Sequence, residues 1–415
     1  MLEDVAMQVD KNIVVKKFGG TSVGTLERIE NVAARVIRAQ ACGESPVIVV
    51  SAMSGETNRL VRLANDLDPY YRGAAYDMLL ASGEQVAVAL LTIALEKRGA
   101  KAAPLLAHQV GIQTDAIFSK ARIRSIDTTK ISSLVEQNTI PVVAGFQGVT
   151  EDDQITTLGR GGSDTTAVAL TAALKGSVCE IYTDVPAVYS ADPRLVAKAR
   201  ELKTVTFEEM MEMASVGSKV LHFRAVEIAA KYNIKIHSRS SFEDRDGTWV
   251  MAEENMLENP VVSSVTHDPS TVVIQLNPVP AGAAFLANLF ARLAEKNIVV
   301  DIITQSASDS PSAHTQRLHF SIPEEDLPQT EKLLQEILKN ETEVKVMRDM
   351  AKISVIGVGM KNHPGVAARF FKIFKEHNVD VHLVTTSDIK ISAVVTKSQL
   401  KEVAEALHTE FDLDV

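Results

Sequence analysis

Cysteine is nearly absent: two occur in 415 residues. Cys42 and Cys179 lie in unrelated segments without metal-ligand spacing. That excludes a disulfide framework and suits a reducing compartment. The ten histidines are scattered and suggest no zinc site. Positive charge is not in excess, and the net charge of -10 argues against a nucleic-acid surface. An acidic chain can still hold a local positive pocket. Long apolar runs are missing; the longest, 87–95, is too short to span a bilayer. The first residues, Met1 to Asp4, lack the basic start of a signal peptide. No Gly-x-x-x-x-Gly-Lys-Ser/Thr loop occurs, nor a His-Arg-Asp or Asp-Phe-Gly motif, nor a Gly-x-Ser-x-Gly elbow. The expectation is a cytoplasmic enzyme with no membrane or nucleic-acid partner.

The 46% hydrophobic and 23% charged fractions fit a globular protein, and the length calls for two or three domains. Up to about residue 240, β-branched runs alternate with helical patterns. Strands are predicted at 13–18, 46–51, 140–145, 178–183 and 234–238, and helices near 25–40, 73–98, 163–175 and 217–232. This alternation predicts an α/β domain over 11–245 with a mostly parallel central sheet. After a polar, turn-like stretch at 243–247, a strand–helix–strand–strand–helix–strand pattern appears twice, over 265–349 and 350–415. Its last strand is predicted at 412–415. In the second repeat, Val366, Phe370, Ile373, Phe374 and His377 share one helix face, and core packing explains them.

Two glycine-rich turns carry the chemistry. The stretch from Ile13 to Gly24 reads IVVKKFGGTSVG. A buried strand delivers Lys17, Phe18, Gly19 and Gly20 to the start of a helix. Such a turn lets backbone N–H groups close on phosphate oxygens, and Lys17 adds a point charge. The second turn, Leu158 to Ala167, reads LGRGGSDTTA. Ser163 or Asp164 is the predicted N-cap of its helix. Arg160 has the planar fork for a substrate carboxylate.

Glu84 stands early in the helical stretch by this reading, where a carboxylate matches the helix dipole; beside Arg160 it also suits a substrate ammonium. Ser51 to Asn58 offers hydroxyls at another strand end, or a plain capping loop. After the strand 178–183, Tyr189 suits an adenine, Thr183 and Asp184 a nucleotide, and Asp192 and Arg194 the pocket edge; the alternative is a turn punctuated by Asp-Pro. Gly217 to His222 is predicted to open a helix, with Lys219 facing phosphates or solvent.

These motifs, in this order and over nearly the whole length, resemble the aspartokinases of the monofunctional type with two C-terminal ACT domains. The resemblance rests on Lys17–Ser22 (KFGGTS), Ser51–Met53 (SAM), Gly145–Gly148 (GFQG), Thr157–Thr166 (TLGRGGSDTT), Tyr182–Asp184 (YTD), Ala191–Arg194 (ADPR) and Gly217–Leu221 (GSKVL). It implies the amino acid kinase fold followed by two ferredoxin-like ACT domains. The implied reaction is ATP- and Mg2+-dependent conversion of L-aspartate to 4-phospho-L-aspartate, the first step towards lysine, threonine and methionine.

By the resemblance, Lys17 and Lys219 stabilise the transferring phosphoryl group and Asp164 positions Lys17. Phe18, Gly19, Gly20, Ser51, Ser163, Thr183, Asp184, Tyr189, Asp192 and Arg194 bind ATP. Thr57, Glu84, Phe146, Arg160, Gly161, Gly162 and Ser163 hold aspartate. Asp301, Gln305, Asn362, Val366, Ser387 and Asp388 are effector-site candidates for lysine or threonine, in a homo-oligomer joined through ACT domains. No protein metal site is implied. Three departures stand out: Ala187 and Phe223 replace a usual glycine and proline, and Asn277 to Ala283 reads NPVPAGA where Pro-Gly is usual. The segment 262–267 is a candidate to pair with the C-terminal repeat. Two other readings stay open: an amino-acid-binding regulator with a spent kinase domain, and a kinase for another carboxylate.

Overall fold

The computed structural model describes residues 12–218, 220–253, 260–307, 314–338 and 341–414. The chain divides into two compact units. The first holds an eight-stranded sheet in the order Thr204–Thr206, Thr248–Met251, Lys235–Ser240, Val178–Thr183, Ile13–Phe18, Ser45–Val50, Ile140–Ala144, Ala102–Leu105. Every neighbouring pair is parallel except Lys235–Ser240 with Thr248–Met251. The central strands are nearly continuous Val/Ile runs because helices cover both faces.

Strand alternation sends Lys16 and Phe18 to one face and Lys17 to the other. On Phe18's face, Ile29, Val32 and Val36 of Leu26–Ala41 meet Val88 and Leu91 of Ala74–Lys97. The helix Gly162–Ala173 packs against Ile13–Phe18 and Phe223–Tyr232. Ala74–Lys97 is long and apolar enough to cross a bilayer by length and composition, although no apolar run in it is. Over half of its most apolar window is buried, and it carries Asp77 and Glu84 inside the unit.

Several expectations shift. The helix predicted at 163–175 begins at Gly162, and its N-cap is Gly161, not Ser163 or Asp164. Gly161 has φ 66, which glycine adopts without a Cβ penalty, so the helix starts one turn-residue earlier. Residues 216–218 form no helix; the helix begins at Phe223 behind the N-cap His222. Phe223 is thus at a first helical position, where proline is favoured but not required. A four-stranded sheet was not anticipated: Ile123–Ile126, Ile112–Thr114, Gln147–Val149 and Ile155–Thr157. Strands of three or four residues leave little periodic signal. This sheet delivers the chain directly to the loop 158–161.

The second unit has a six-stranded antiparallel sheet, in the order Ile303–Ala307, Thr315–Pro323, Ser264–Pro280, Glu343–Ile356, Lys390–Thr396, Leu383–Ser387. Its helices are Ala283–Glu295, Leu327–Ile337, Val366–Glu376 and Leu400–Glu410. The predicted final strand at 412–415 does not form over 412–414, which are turns; residue 415 lies outside the described residues. Residues 264–268 occupy its slot, pairing with 352–356. The second repeat therefore borrows its last strand from upstream of the first. The altered turn keeps its glycine: Gly282 (φ 102) precedes Ala283–Glu295 as Gly365 (φ 99) precedes Val366–Glu376. The unit also takes in residues 189–200 and 215–218. Ala191 and Val196 join the core of Phe370, Ile373 and Leu407.

Candidate active site

Lys17 is the last residue but one of the first strand and almost buried, and its Nζ lies 2.6 Å from Asp164 Oδ1. Asp164 is in the first turn of Gly162–Ala173. The adjacent Lys16 points to the opposite face and pairs with Glu44 (2.7 Å) and Glu180. The doubled lysine thus splits into a core ion pair and a cation at the glycine turn. Gly19 N–H donates to Tyr182 O (3.2 Å) and Ser54 N–H to Gly20 O (3.0 Å). A Cβ on Gly20 would sit 2.7 Å from Ala52 O, so only glycine permits this closure of the two loops.

Glu84 is not early in its helix but in the middle of Ala74–Lys97, so the dipole reading does not apply. Its Oε1 accepts from Ala52 N–H at 3.0 Å, and Oε2 is buried without a hydrogen-bond partner. Burial pushes its carboxyl up to about 8, against the pull of that N–H. Gly83 lets the helix approach, since a Cβ there would lie 2.9 Å from Ala52 Cβ. Thr57 lies half-buried in Glu56–Leu67, just beyond Ser51 and Ala52.

The second loop is as close-packed. Phe146 takes φ 69, donates its N–H to Thr166 Oγ1 (3.1 Å) and accepts from Leu158 N–H (2.8 Å). A Cβ on Gly162 would fall 2.8 Å from the Phe146 ring, and one on Gly145 2.7 Å from Ser163. Gly161 backs onto His222, whose ring a Cβ would meet at 2.2 Å. Arg160 is exposed at the loop's apex, between two glycines at positive φ. The neighbouring strand ends in Thr183, whose Oγ1 donates to Asp184 Oδ1 (3.2 Å). Ala187 is fully buried at negative φ, so the usual glycine is not needed there.

The first unit thus gathers Lys17, Gly19, Gly20, Ser51, Thr57, Glu84, Phe146, Arg160 to Asp164, Thr183 and Asp184 around the carboxyl ends of its central strands, while the Phe18 side chain lies in the core, stacked on Tyr182 at 4.7 Å. Lys219 lies outside the described residues. Tyr189, Asp192 and Arg194 belong to the second unit, where Arg194 Nη2 pairs with Asp192 Oδ2 at 2.7 Å. Two charged residues near the second loop carry no motif, the buried Asp77 and the half-buried Arg224. The one trace in the sequence is that Asp77 stands two helical turns before Glu84.

The amino acid kinase family matches residues 12–239, and the ACT domain matches 353–411. An aspartokinase of Bacillus sp. strain MGA3 is 45% identical over 403 residues, covering 97% of each chain. Aspartokinase 2 of Bacillus subtilis is 43% identical, covering 97% of this chain and 98% of that one. The structure of E. coli aspartokinase III in complex with aspartate and ADP superposes with TM-score 0.80 over 96% of this chain and 99% of that one, at 24% identity. That likeness concerns the fold. The chain belongs to the amino acid kinase family. Within it, the chain belongs to the aspartokinases, and its activity is ATP-dependent phosphorylation of the β-carboxylate of L-aspartate, the entry to lysine, threonine and methionine biosynthesis.

Proposed function

We propose that Lys17 and Asp164 form the phosphoryl-transfer centre, and that Glu84 and Arg160 bracket the backbone charges of aspartate. The Lys17–Asp164 pair beside the Gly19–Gly20 turn carries this reading. The β-carboxylate, with a reference pKa of about 3.9, is already ionised at neutral pH. It needs no general base. One carboxylate oxygen attacks the γ-phosphorus, and the bond to the β-phosphate oxygen breaks, leaving its electron pair on ADP. Asp164 holds the Lys17 ammonium, which offsets charge on the transferring group. Backbone donors of the glycine turn do the same, so catalysis reduces to alignment and charge neutralisation. Thr183 and Asp184 line the nucleotide side, and Lys219 supports Lys17.

Mg2+ binds through few carboxylates plus substrate phosphates. The exposed Asp184, at the end of the strand beside Lys17, fits that donor set. The ion when bound neutralises phosphate charge.

Arg160→Lys keeps the charge and loses the fork. The expected result is an aspartate KM raised about tenfold with ATP KM within twofold, a loss of about 1.4 kcal/mol. Equal changes in both would remove the assignment. Turnover of ATP with aspartate also separates the kinase from a spent regulator, and substrate exchange from a kinase for another carboxylate.

We further propose a cytoplasmic homo-oligomer joined through ACT units, divided as 11–245, 265–349 and 350–415, and inhibited by lysine with or without threonine. Asp301 pairs with Lys352, and Gln305 is exposed on its strand. Gly357 N–H donates to Ile389 O (3.0 Å), which ties the loop before Asn362 and Val366 to the hairpin of Ser387 and Asp388. These two groups support an effector site. An effector preferring the inactive state by a factor α contributes RT ln α, about 1–3 kcal/mol. Gln305→Ala or Ser387→Ala is expected to weaken inhibition about tenfold without lowering uninhibited kcat. An unchanged rate at millimolar lysine plus threonine, with no heat in calorimetry, would leave the ACT units an assembly role alone.

A further inference from the structure

Asp77 and Arg224 have no part in the roles above. Asp77 is fully buried on Ala74–Lys97. Its carboxylate accepts from Thr157 N–H (2.6 Å), Ser119 N–H (2.9 Å) and Ser119 Oγ (3.2 Å). Arg224 is half-buried in the first turn of Phe223–Tyr232. Its Nη1 donates to Leu158 O (2.6 Å) and its Nη2 to Ala121 O (3.0 Å). Among the described residues neither forms an ion pair; each charge is aimed at the backbone.

The groups they hold belong to two short stretches, 119–121 and 157–158. These are joined to each other by Ala121 N–H donating to Thr157 O (3.0 Å). A carboxylate grips their N–H groups and a guanidinium grips their carbonyls. Charged hydrogen bonds are shorter and stronger than neutral ones, which suits a clamp. The very next residues are Gly159, Arg160 and Gly161. Both glycines sit at positive φ, which lets the loop turn tightly directly above this clamped base. Gly159 also faces Ser119 O, at 3.0 Å from where a Cβ would lie. Asp77 stands two turns before Glu84 on the same face of one helix. One rigid helix therefore carries the proposed ammonium partner and the support of the proposed carboxylate partner.

We propose that Asp77 and Arg224 are positioning residues that fix the Arg160 loop, and so set the affinity and selectivity for the amino acid substrate and not for the nucleotide. This rests on the reading of Arg160 as the contact for the substrate's α-carboxylate.

The test uses the full chain and the variants Arg224→Gln, Arg224→Lys and Asp77→Asn, each alone and combined with Arg160→Lys. KM for aspartate and for ATP, kcat and melting temperature are measured. Misplacing a reacting partner by about 1 Å can cost up to about 10²-fold. Arg224→Gln is expected to raise aspartate KM about tenfold or more, with ATP KM within twofold. Arg224→Lys keeps one donor and falls between. On the Arg160→Lys background, Arg224→Gln should add less than about twofold, because residues acting through one group are not additive. Equal loss in both KM values, or full additivity with Arg160→Lys, makes the pair general scaffolding and overturns the proposal. If Arg224→Gln does not fold, Arg224→Lys and Asp77→Asn carry the comparison, and an unchanged aspartate KM in both overturns it. An Arg160→Lys enzyme with normal aspartate KM overturns the Arg160 reading and the clamp together. A sensitive Arg160→Lys with insensitive Arg224 and Asp77 variants removes the clamp alone.

Discussion

Lys17→Ala is expected to lower kcat by about 10²–10³-fold, with aspartate KM little changed. One preorganised charge at a developing anion contributes about 2.7–4 kcal/mol to the barrier. Lys17 is the cation at the Gly19–Gly20 turn, and Asp164 at 2.6 Å fixes it there. The same substitution leaves Asp164 almost buried and unpaired, which costs stability of up to about 3 kcal/mol. Lys17→Ala combined with Asp164→Asn separates the two effects. The double variant should regain melting temperature and not kcat. Rate within twofold of the parent in either variant would end the catalytic reading of Lys17. Lys16→Ala is the contrast. That side chain points to the other face, into Glu44 and Glu180, so its loss should act on folding.

Much of the site could be read in the residues because its turns depend on glycine. Strand 13–18 is observed with those bounds, and Gly20 closes on the neighbouring loop through a contact that any Cβ would break. The central strands were legible because their Val/Ile runs are buried on both faces. What escaped was either short or distant. Strands such as Ile112–Thr114 have too few residues for a period. The N-cap moved to Gly161 because capping preference for Ser163 yields to a glycine at positive φ packed against His222. The predicted strand does not form over 412–414 for a topological reason: residues 264–268 pair with 352–356 instead, within the segment that the family resemblance made a candidate and that no local pattern singles out. Asp77 and Arg224 escaped because their partners are backbone atoms, which every residue has.

Glu84→Gln is expected to abolish a pH dependence that the parent enzyme shows, and to raise aspartate KM by about 10²-fold or more. In the parent, Oε2 is buried without a hydrogen-bond partner, and burial lifts the carboxyl to about 8. Without substrate at pH 7 the group is therefore mostly protonated. A substrate ammonium favours the ionised form. Below pH 8, aspartate binding then releases a proton, so aspartate KM should fall as pH rises from 6.5 and level off above 8. The limiting slope is about tenfold per pH unit. Glutamine cannot ionise, so the variant's KM is high and flat, while ATP KM moves little in either protein. Stability carries the opposite sign. The folded value of about 8 exceeds the ordinary 4.5, so the folded chain binds more protons between those values. Stability associated with Glu84 is fully present below the unfolded value and is lost as pH rises through the folded one. Without substrate, Glu84→Gln should therefore melt higher than the parent at pH 8, by a margin that shrinks towards pH 5. A residue kept for packing would give the reverse pattern, a lower melting temperature at every pH with an unchanged KM profile. That outcome would take the ammonium site away from Glu84.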